Sequence, residues 1–311
     1  MKPFYCQYYV TETCNAKCNF CNIWKNPKIA DYPDLETTKK YILQLKENGV
    51  KYIDFTGGEP LLRPDIFKMI DYAHDLGIKC LMTTNTLLFP KRFHEMNIEN
   101  VYSLAFSIDS IIKEEHEANR GVNGIWNTLM ESIKICKDNN IDFNLLFTLT
   151  RKNINELPQL YDFCRKNKIK LSLNFCFDYQ NSFGDQIPPI EKLKQVKKYL
   201  YKRGVIFNVG YIDFVINGGN NINKSLCGAL KYNIAVDSYG KVFYPCYHNK
   251  MYRISFEEFF SNCSNFQVKS GSYEFCKGCA IGCYFNFSLW KKYPISSILS
   301  GLKFLVTKNF E

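Results

Sequence analysis

With 311 residues and 46% hydrophobic content, the chain carries enough apolar material for a barrel-sized core with a small appendage, which excludes a minimal scaffold held by disulfides. Its 40 Lys and Arg against 30 Asp and Glu give a formal charge of +10, but the basic residues are scattered, so they describe a solvated surface and predict no specific nucleic-acid partner. Fourteen cysteines in so large a chain, with no basic and apolar leader across Met1 to Tyr5, predict reduced, metal-binding thiols and a cytoplasmic location.

In chain order, short β-rich runs alternate with helical patterns, as expected for βα units on a parallel sheet. The predicted strands are Tyr8 to Thr13, Lys51 to Phe55, Lys79 to Thr84, Val101 to Ile108, Phe143 to Thr148 and Lys170 to Phe177. Helical spacing of apolar residues covers Leu35 to Asn48, Asp65 to Leu76, Lys91 to Met96, Ile125 to Asn139 and Asn155 to Asn167, with Asp65 placed to start its helix. In such barrels the chemistry sits at the C-terminal ends of the strands.

Behind the first strand stand Cys14, Cys18 and Cys21. Three thiolates hold only three corners of a metal centre, whereas a 4Fe-4S cube takes one thiolate per iron, so this spacing points to a cube with one open iron. A structural zinc site expects four ligands, usually as paired CxxC units, and the first unit here is CxxxC. Behind the second strand comes Gly57-Gly58-Glu59-Pro60, a tight turn in which glycine lets the backbone approach a ligand and Glu59 can accept hydrogen bonds from an ammonium group.

In this order, the two motifs resemble the radical S-adenosylmethionine (SAM) superfamily, whose CxxxCxxC loop and GGE turn follow the first two strands of a partial (β/α)6 TIM-like barrel. The resemblance implies that SAM chelates the open iron through its amino and carboxylate groups, with Glu59 holding the amino group beside Gly57 and Gly58. It further implies Phe20 beside the adenine, Asn85 and Ser107 as SAM contacts, Asp109 with Ser107 at a ribose hydroxyl, and Arg120 at the SAM carboxylate. Many relatives carry Thr-Asn-Gly where this chain has Thr84-Asn85-Thr86, a departure at Thr86.

The last third changes character. Pro188 to Lys202 is a Lys-rich helical stretch, and a predicted β-hairpin pairs Ile234 to Asp237 with Gly240 to Tyr244. Cys227-x12-Gly240-x5-Cys246 followed by Cys276-x2-Cys279-x3-Cys283 resembles the SPASM and twitch extensions of radical SAM enzymes, which carry auxiliary 4Fe-4S clusters. It departs from them in a glycine-to-cysteine gap of five, where four is usual, and in having too few cysteines for two auxiliary clusters. The expected second 4Fe-4S cluster takes Cys227, Cys246, Cys276 and Cys279, with Cys283 the rival for a place, and structural zinc is the alternative. Cys80, Cys136 and Cys164 read as small buried hydrophobes, whereas Cys176 ends the sixth strand where it can face the barrel mouth. From Tyr284 onward the tail is aromatic and basic, and Ile295, Ile298, Leu299, Leu302, Leu305 and Val306 recur at helical spacing opposite Ser296, Ser300, Lys303 and Thr307. Such a helix either closes the barrel or lies in a lipid interface.

The expected division is therefore a radical SAM core over residues 1–205 and a twitch-like hairpin-plus-helix extension over 206–311. The activity implied is reductive cleavage of SAM to a 5′-deoxyadenosyl radical that abstracts hydrogen from a peptide, lipid or small metabolite, with flavodoxin or ferredoxin as electron donor and peripheral membrane contact as an option. The rival class is a non-catalytic metal protein, either an iron-sulfur electron carrier or a zinc-dependent nucleic-acid binder.

Overall fold

The computed structural model describes residues 1–25, 32–176 and 183–306, the side chains of 301–306 excepted. Seven strands run in parallel: β1 (Tyr5–Thr11), β2 (Tyr52–Gly57), β3 (Lys79–Thr84), β4 (Val101–Ile108), β5 (Phe143–Leu149), β6 (Lys170–Phe175) and β7 (Val205–Ile206). Between them lie α1 (Leu35–Glu47), α2 (Ile66–Asp75), α3 (Phe89–Arg92), α4 (Lys113–Arg120), α5 (Ile125–Asp138), α6 (Leu157–Lys166) and α7 (Ile190–Leu200). Alternation along the strands sorts the side chains. Cys6, Tyr8, Ile53, Phe55, Met82, Phe106 and Phe147 are buried in one core with Ile42 and Leu45 of α1 and Ile66, Met69 and Ile70 of α2. The intervening residues, among them Tyr9, Thr56, Thr83, Ser107, Thr148 and Asn174, belong to the other face, which is the one that bears the site.

After α8 (Val209–Ile216) the chain adds β8 (Asn233–Val236), β9 (Lys241–Tyr244) and β10 (Tyr252–Ser255). β8 pairs in parallel with β1, from Tyr5 opposite Asn233 to Tyr8 opposite Val236, so the hairpin extends the barrel sheet in the order β10-β9-β8-β1-β2-β3-β4-β5-β6-β7. The hairpin turn is held by the Asp237 carboxylate, which accepts from the Tyr239 and Lys241 amides at 3.0 and 2.9 Å. The last helices are α9 (Phe256–Ser261), α10 (Cys263–Val268), α11 (Gly282–Phe285) and α12 (Pro294–Val306).

Several boundaries differ from the sequence expectation. The first strand runs from Tyr5 to Thr11, with a register shift against β2 between Tyr9 and Thr11, and beyond it the Thr13 amide turns back to Thr11 Oγ1 at 3.1 Å. Asp65 occupies the N-cap of α2 without capping it, because its carboxylate is engaged by the buried Arg63, at 2.7 Å from Nε. The helix expected over Lys91 to Met96 is instead α3 plus a 3-10 turn, pinned by Arg92 donating to the Leu61 and Arg63 carbonyls. α4, β7 and β10 are additions, two of them strands of two and four residues, too short to carry a periodic signal. Phe177, the expected end of the sixth strand, and Thr307 lie outside the described residues.

α12 meets α8 through its polar side, the arrangement of the lipid-interface alternative. Its Ser300 hydroxyl accepts from the Val209 amide at 2.9 Å, whereas Ile295, Ile298 and Leu299 are exposed. Among the described residues no helix is long and apolar enough to cross a membrane.

Candidate active site

The cysteine loop is held from two sides. On one, the β1–β2 ladder continues past the strand ends, with the Gly58 amide donating to Thr11 O at 2.8 Å and the Glu59 amide to Thr13 O at 2.9 Å. The chains approach so closely that a Cβ on Gly57 or Gly58 would stand 2.1 Å from Thr11 O or 1.9 Å from Thr13 O. Glycine is thus demanded here by the cysteine loop's own backbone. On the other side, the end of α4 clamps the loop, the Lys17 and Asn19 amides donating to Arg120 O and Asn119 O at 2.8 and 3.0 Å.

A cavity of about 190 Å³ opens at these strand ends, and Cys14, Cys18, Cys21, Glu59, Asn85 and Arg120 all line it, together with Phe20, Gly57, Gly58 and Ser107. Glu59 is buried; its Oε1 accepts from the Leu61 amide at 3.1 Å and Thr84 Oγ1 at 2.7 Å, and its Oε2 from the Asn85 amide at 2.8 Å. Burial pushes its carboxyl up to about 7, against the pull of those three donors. Asn85 reaches Asn15 Oδ1 at 2.7 Å and Cys14 Sγ at 3.8 Å. The next residue, Thr86, adopts φ of 74°. That left-handed conformation disfavours a β-branched side chain, and it falls where the family pattern has glycine.

Asp109 departs from its expected place. Strand alternation ends at Ile108, and Asp109 is fully buried outside the cavity wall, paired with Arg120 through Nε at 2.5 Å and Nη2 at 2.8 Å. The Arg120 Nη1 stands 3.7 Å from Cys18 Sγ, and the guanidinium lies 5.7 Å from the Phe20 ring centre. Arg120 therefore keeps unused N–H groups toward the cavity, while Asp109 fixes its direction. The Asp109 amide donates to His116 Nδ1 at 3.2 Å, and burial, with Arg120 nearby, holds His116 down at about 3.

Burial raises all three loop thiols, Cys14 to about 12 and Cys18 to about 11, with Cys21 also raised. In the C-terminal third, burial raises Cys227 to about 11 and Cys246 to about 12, and lifts Cys276, Cys279 and Cys283 as well. Cys279 is raised further by Cys227, Cys246 and Cys276, and Cys283 by Cys246 and Cys227. All fourteen cysteines are free of disulfides, and Cys80, Cys136 and Cys164 are buried. Among the described residues, no three His, Cys, Asp or Glu side chains are grouped as around a single metal ion. Three thiols lining one cavity, Cys18 buried and Cys14 and Cys21 half-buried, with an acceptor carboxylate and an orienting guanidinium fit a cube with an open iron and a zwitterionic ligand.

A second cavity of about 210 Å³ shares Phe20, Cys21, Ile23, Thr56, Gly57 and Thr148 with the first. Its remaining walls are Tyr9, Tyr247 and His248, and Asn174, Phe175 and Cys176. Of these, only Cys176 is singled out by sequence reasoning. Tyr9 and Asn174 carry a weak signal, being polar residues at alternate positions near strand ends, and Tyr247 and His248 carry only their nearness to Cys246.

Comparison with known proteins gives the same reading. The chain is 32% identical over 161 residues to the AdoMet-dependent heme synthase of Nitratidesulfovibrio vulgaris, covering 50% of this chain and 43% of that protein. It is 26% identical over 250 residues to the antilisterial bacteriocin subtilosin biosynthesis protein AlbA of Bacillus subtilis, covering 78% and 55%. The chain thus spans about half the length of these curated relatives. In fold it is similar to Streptococcus suis SuiB bound to S-adenosylmethionine, with a TM-score of 0.70 at 19% identity over 92% of this chain and 74% of that one. It is also similar to anSMEcpe with bound AdoMet and the Kp18Cys peptide, with a TM-score of 0.67 at 18% identity over 99% and 100%. Residues 8–164, half of the chain, match the Radical SAM superfamily model, and the chain belongs to that superfamily.

Proposed function

We propose that this chain is a radical SAM enzyme that modifies a peptide, with a core over residues 1–205 and a second 4Fe-4S cluster held by the extension over 206–311. The observation that carries the reading is the convergence of Cys14, Cys18, Cys21, Glu59, Asn85 and Arg120 on one cavity that adjoins a second cavity walled by the loop after Cys246. Cys14, Cys18 and Cys21 would hold the first cluster, and four of Cys227, Cys246, Cys276, Cys279 and Cys283 the second. When bound, the first cluster and SAM supply one-electron reductive cleavage of the SAM carbon–sulfur bond, the source of hydrogen abstraction from unactivated carbon.

The side chains bind and orient. Glu59 Oε1 already accepts two donors and Oε2 one, which leaves a lone pair on Oε2 for the SAM ammonium. Arg120, aimed by Asp109, offers its spare N–H groups to the SAM carboxylate. Ser107 would meet the ribose, and Phe20, at the wall shared by the two cavities, would pack beside the adenine. No side chain is asked to act as a strong acid or base. A peptide substrate is supported by the relatives: AlbA serves bacteriocin biosynthesis, and SuiB and anSMEcpe are both described with peptides bound. A flavodoxin or ferredoxin would supply the electron.

Anaerobically reconstituted chain given dithionite and SAM should release 5′-deoxyadenosine. No product from a preparation with full iron and sulfide overturns the assignment. A second observation, the exposed Trp290, Ile295, Ile298 and Leu299 beside Lys291 and Lys292, favours peripheral contact with an anionic membrane. Sedimentation with anionic vesicles that is lost on truncation at Lys291 supports this contact, and a full-length chain that stays in solution ends it.

A further inference from the structure

We propose that the second cavity is the subsite for one residue of the peptide substrate and that it selects an uncharged, apolar or aromatic side chain; this rests on the peptide-modifying reading above. Its volume of about 210 Å³ falls below the roughly 300–1,000 Å³ of pockets that enclose a whole small-molecule ligand. One side chain of a longer substrate fits this volume. Because Phe20, Cys21, Ile23, Thr56, Gly57 and Thr148 line both cavities, a group seated here abuts whatever occupies the cysteine-loop cavity.

The lining decides the chemistry. Rings of Tyr9 and Tyr247 stack at 4.0 Å and 14°, and Phe20 contributes to the shared wall. Among the described residues that line it none carries a carboxylate, ammonium or guanidinium, and the polar side chains are those of Thr56, Thr148, Asn174, the two tyrosines and His248. Lys250 is engaged elsewhere, 5.0 Å from the Tyr247 ring centre and 3.6 Å from Glu12, and Arg120 lines only the first cavity. A charged side chain entering here would lose its water and find no counter-charge among the described lining residues, whereas an apolar one would gain contact area against rings.

The subsite is tested on the reconstituted, SAM-bound full chain by 19F line broadening of N-acetyl-4-fluorophenylalaninamide. N-acetyl-leucinamide should displace this probe, and N-acetyl-lysinamide and N-acetyl-aspartic acid α-amide should do so at least about tenfold less well. Asn174→Asp places a carboxylate in the wall and should invert the order, losing the fluorinated probe and admitting the lysine derivative. Should that variant fold poorly, Tyr247→Ala should weaken the fluorinated probe by about tenfold by removing half of the stacked wall. Equal competition by the charged amides, or no broadening by the wild-type chain, overturns the subsite. Formation of 5′-deoxyadenosine is followed in the same wild-type preparation. Selective binding without it sinks the enzymatic reading and leaves the selectivity standing, whereas cleavage with unselective binding sinks the subsite alone.

Discussion

The two thiol sets are built differently. In the first, three cysteines within eight residues share one loop, and each strand end delivers a partner to it: Glu59 after β2, Asn85 after β3, and Arg120 from the helix after β4. In the second, Cys276, Cys279 and Cys283 also share one short run, but Cys227 and Cys246 come from earlier segments on either side of the hairpin whose β8 pairs with β1. Its partners are correspondingly remote: Ser270 Oγ stands 3.9 Å from Cys227 Sγ, and Asn233 Nδ2 donates to Cys283 O at 3.0 Å. A short motif is enough to recognise the first set; the second is complete only once the sheet is.

The sharpest way to break this contrast is to remove one thiol from each set. Cys18→Ala should abolish SAM cleavage and lower bound iron from about eight to about four per chain. Cys246→Ala should lower iron equally while leaving SAM cleavage in place, and loss of cleavage in both variants would show that the sets are not independent.

Arg120→Lys tests the joint between loop and strand. Lysine cannot reproduce the two-pronged contact with Asp109, and part of a fully buried carboxylate is left without a donor, so the fold should lose about 3 kcal/mol in chemical denaturation. An unchanged midpoint would mean that the pair aims the guanidinium without holding the loop.

Glu59 gives a pH signature. Its folded acid titrates at about 7, above the ordinary 4.5, so the fold favours the protonated form, and this residue's contribution to stability falls as pH rises between those values. SAM binding calls for the ionised form, so affinity measured by calorimetry should rise through about pH 7. Glu59→Gln should bind more weakly at pH 8 and show no such rise.

The smallest effect belongs to Thr86. A β-branched residue held at φ of 74° costs about 1–3 kcal/mol. Thr86→Gly should relieve roughly 1 kcal/mol of it and raise the melting midpoint; a fall would mean that the Thr86 hydroxyl's bond to the Asn85 carbonyl, 2.6 Å long, matters more.

Much of this molecule is legible in its sequence, for reasons of period and spacing. Alternating runs such as Tyr52-Ile53-Asp54-Phe55 can bury only one face, which sets the parallel strands, and the CxxxCxxC and GGEP motifs announce themselves by order alone. The two-residue β7 and the helix under Arg120 are silent, since neither has an apolar period of its own. Asp109 shows the same limit within the site: alternation puts it beside Ser107, but the strand stops one residue earlier and the buried guanidinium of Arg120 captures it.

By itself, then, the sequence determined which residues have the chemistry to hold iron, sulfur and a zwitterion, because ligand type and local spacing are written in one dimension. Only the tertiary structure decided that Gly57 and Gly58 serve the cysteine loop's backbone, that Asp109 orients Arg120, and that an aromatic cavity adjoins the cysteine loop. Those relations depend on strand register and on β8 joining β1, long-range pairings whose free energy comes from packing the whole sheet and not from any local run of residues.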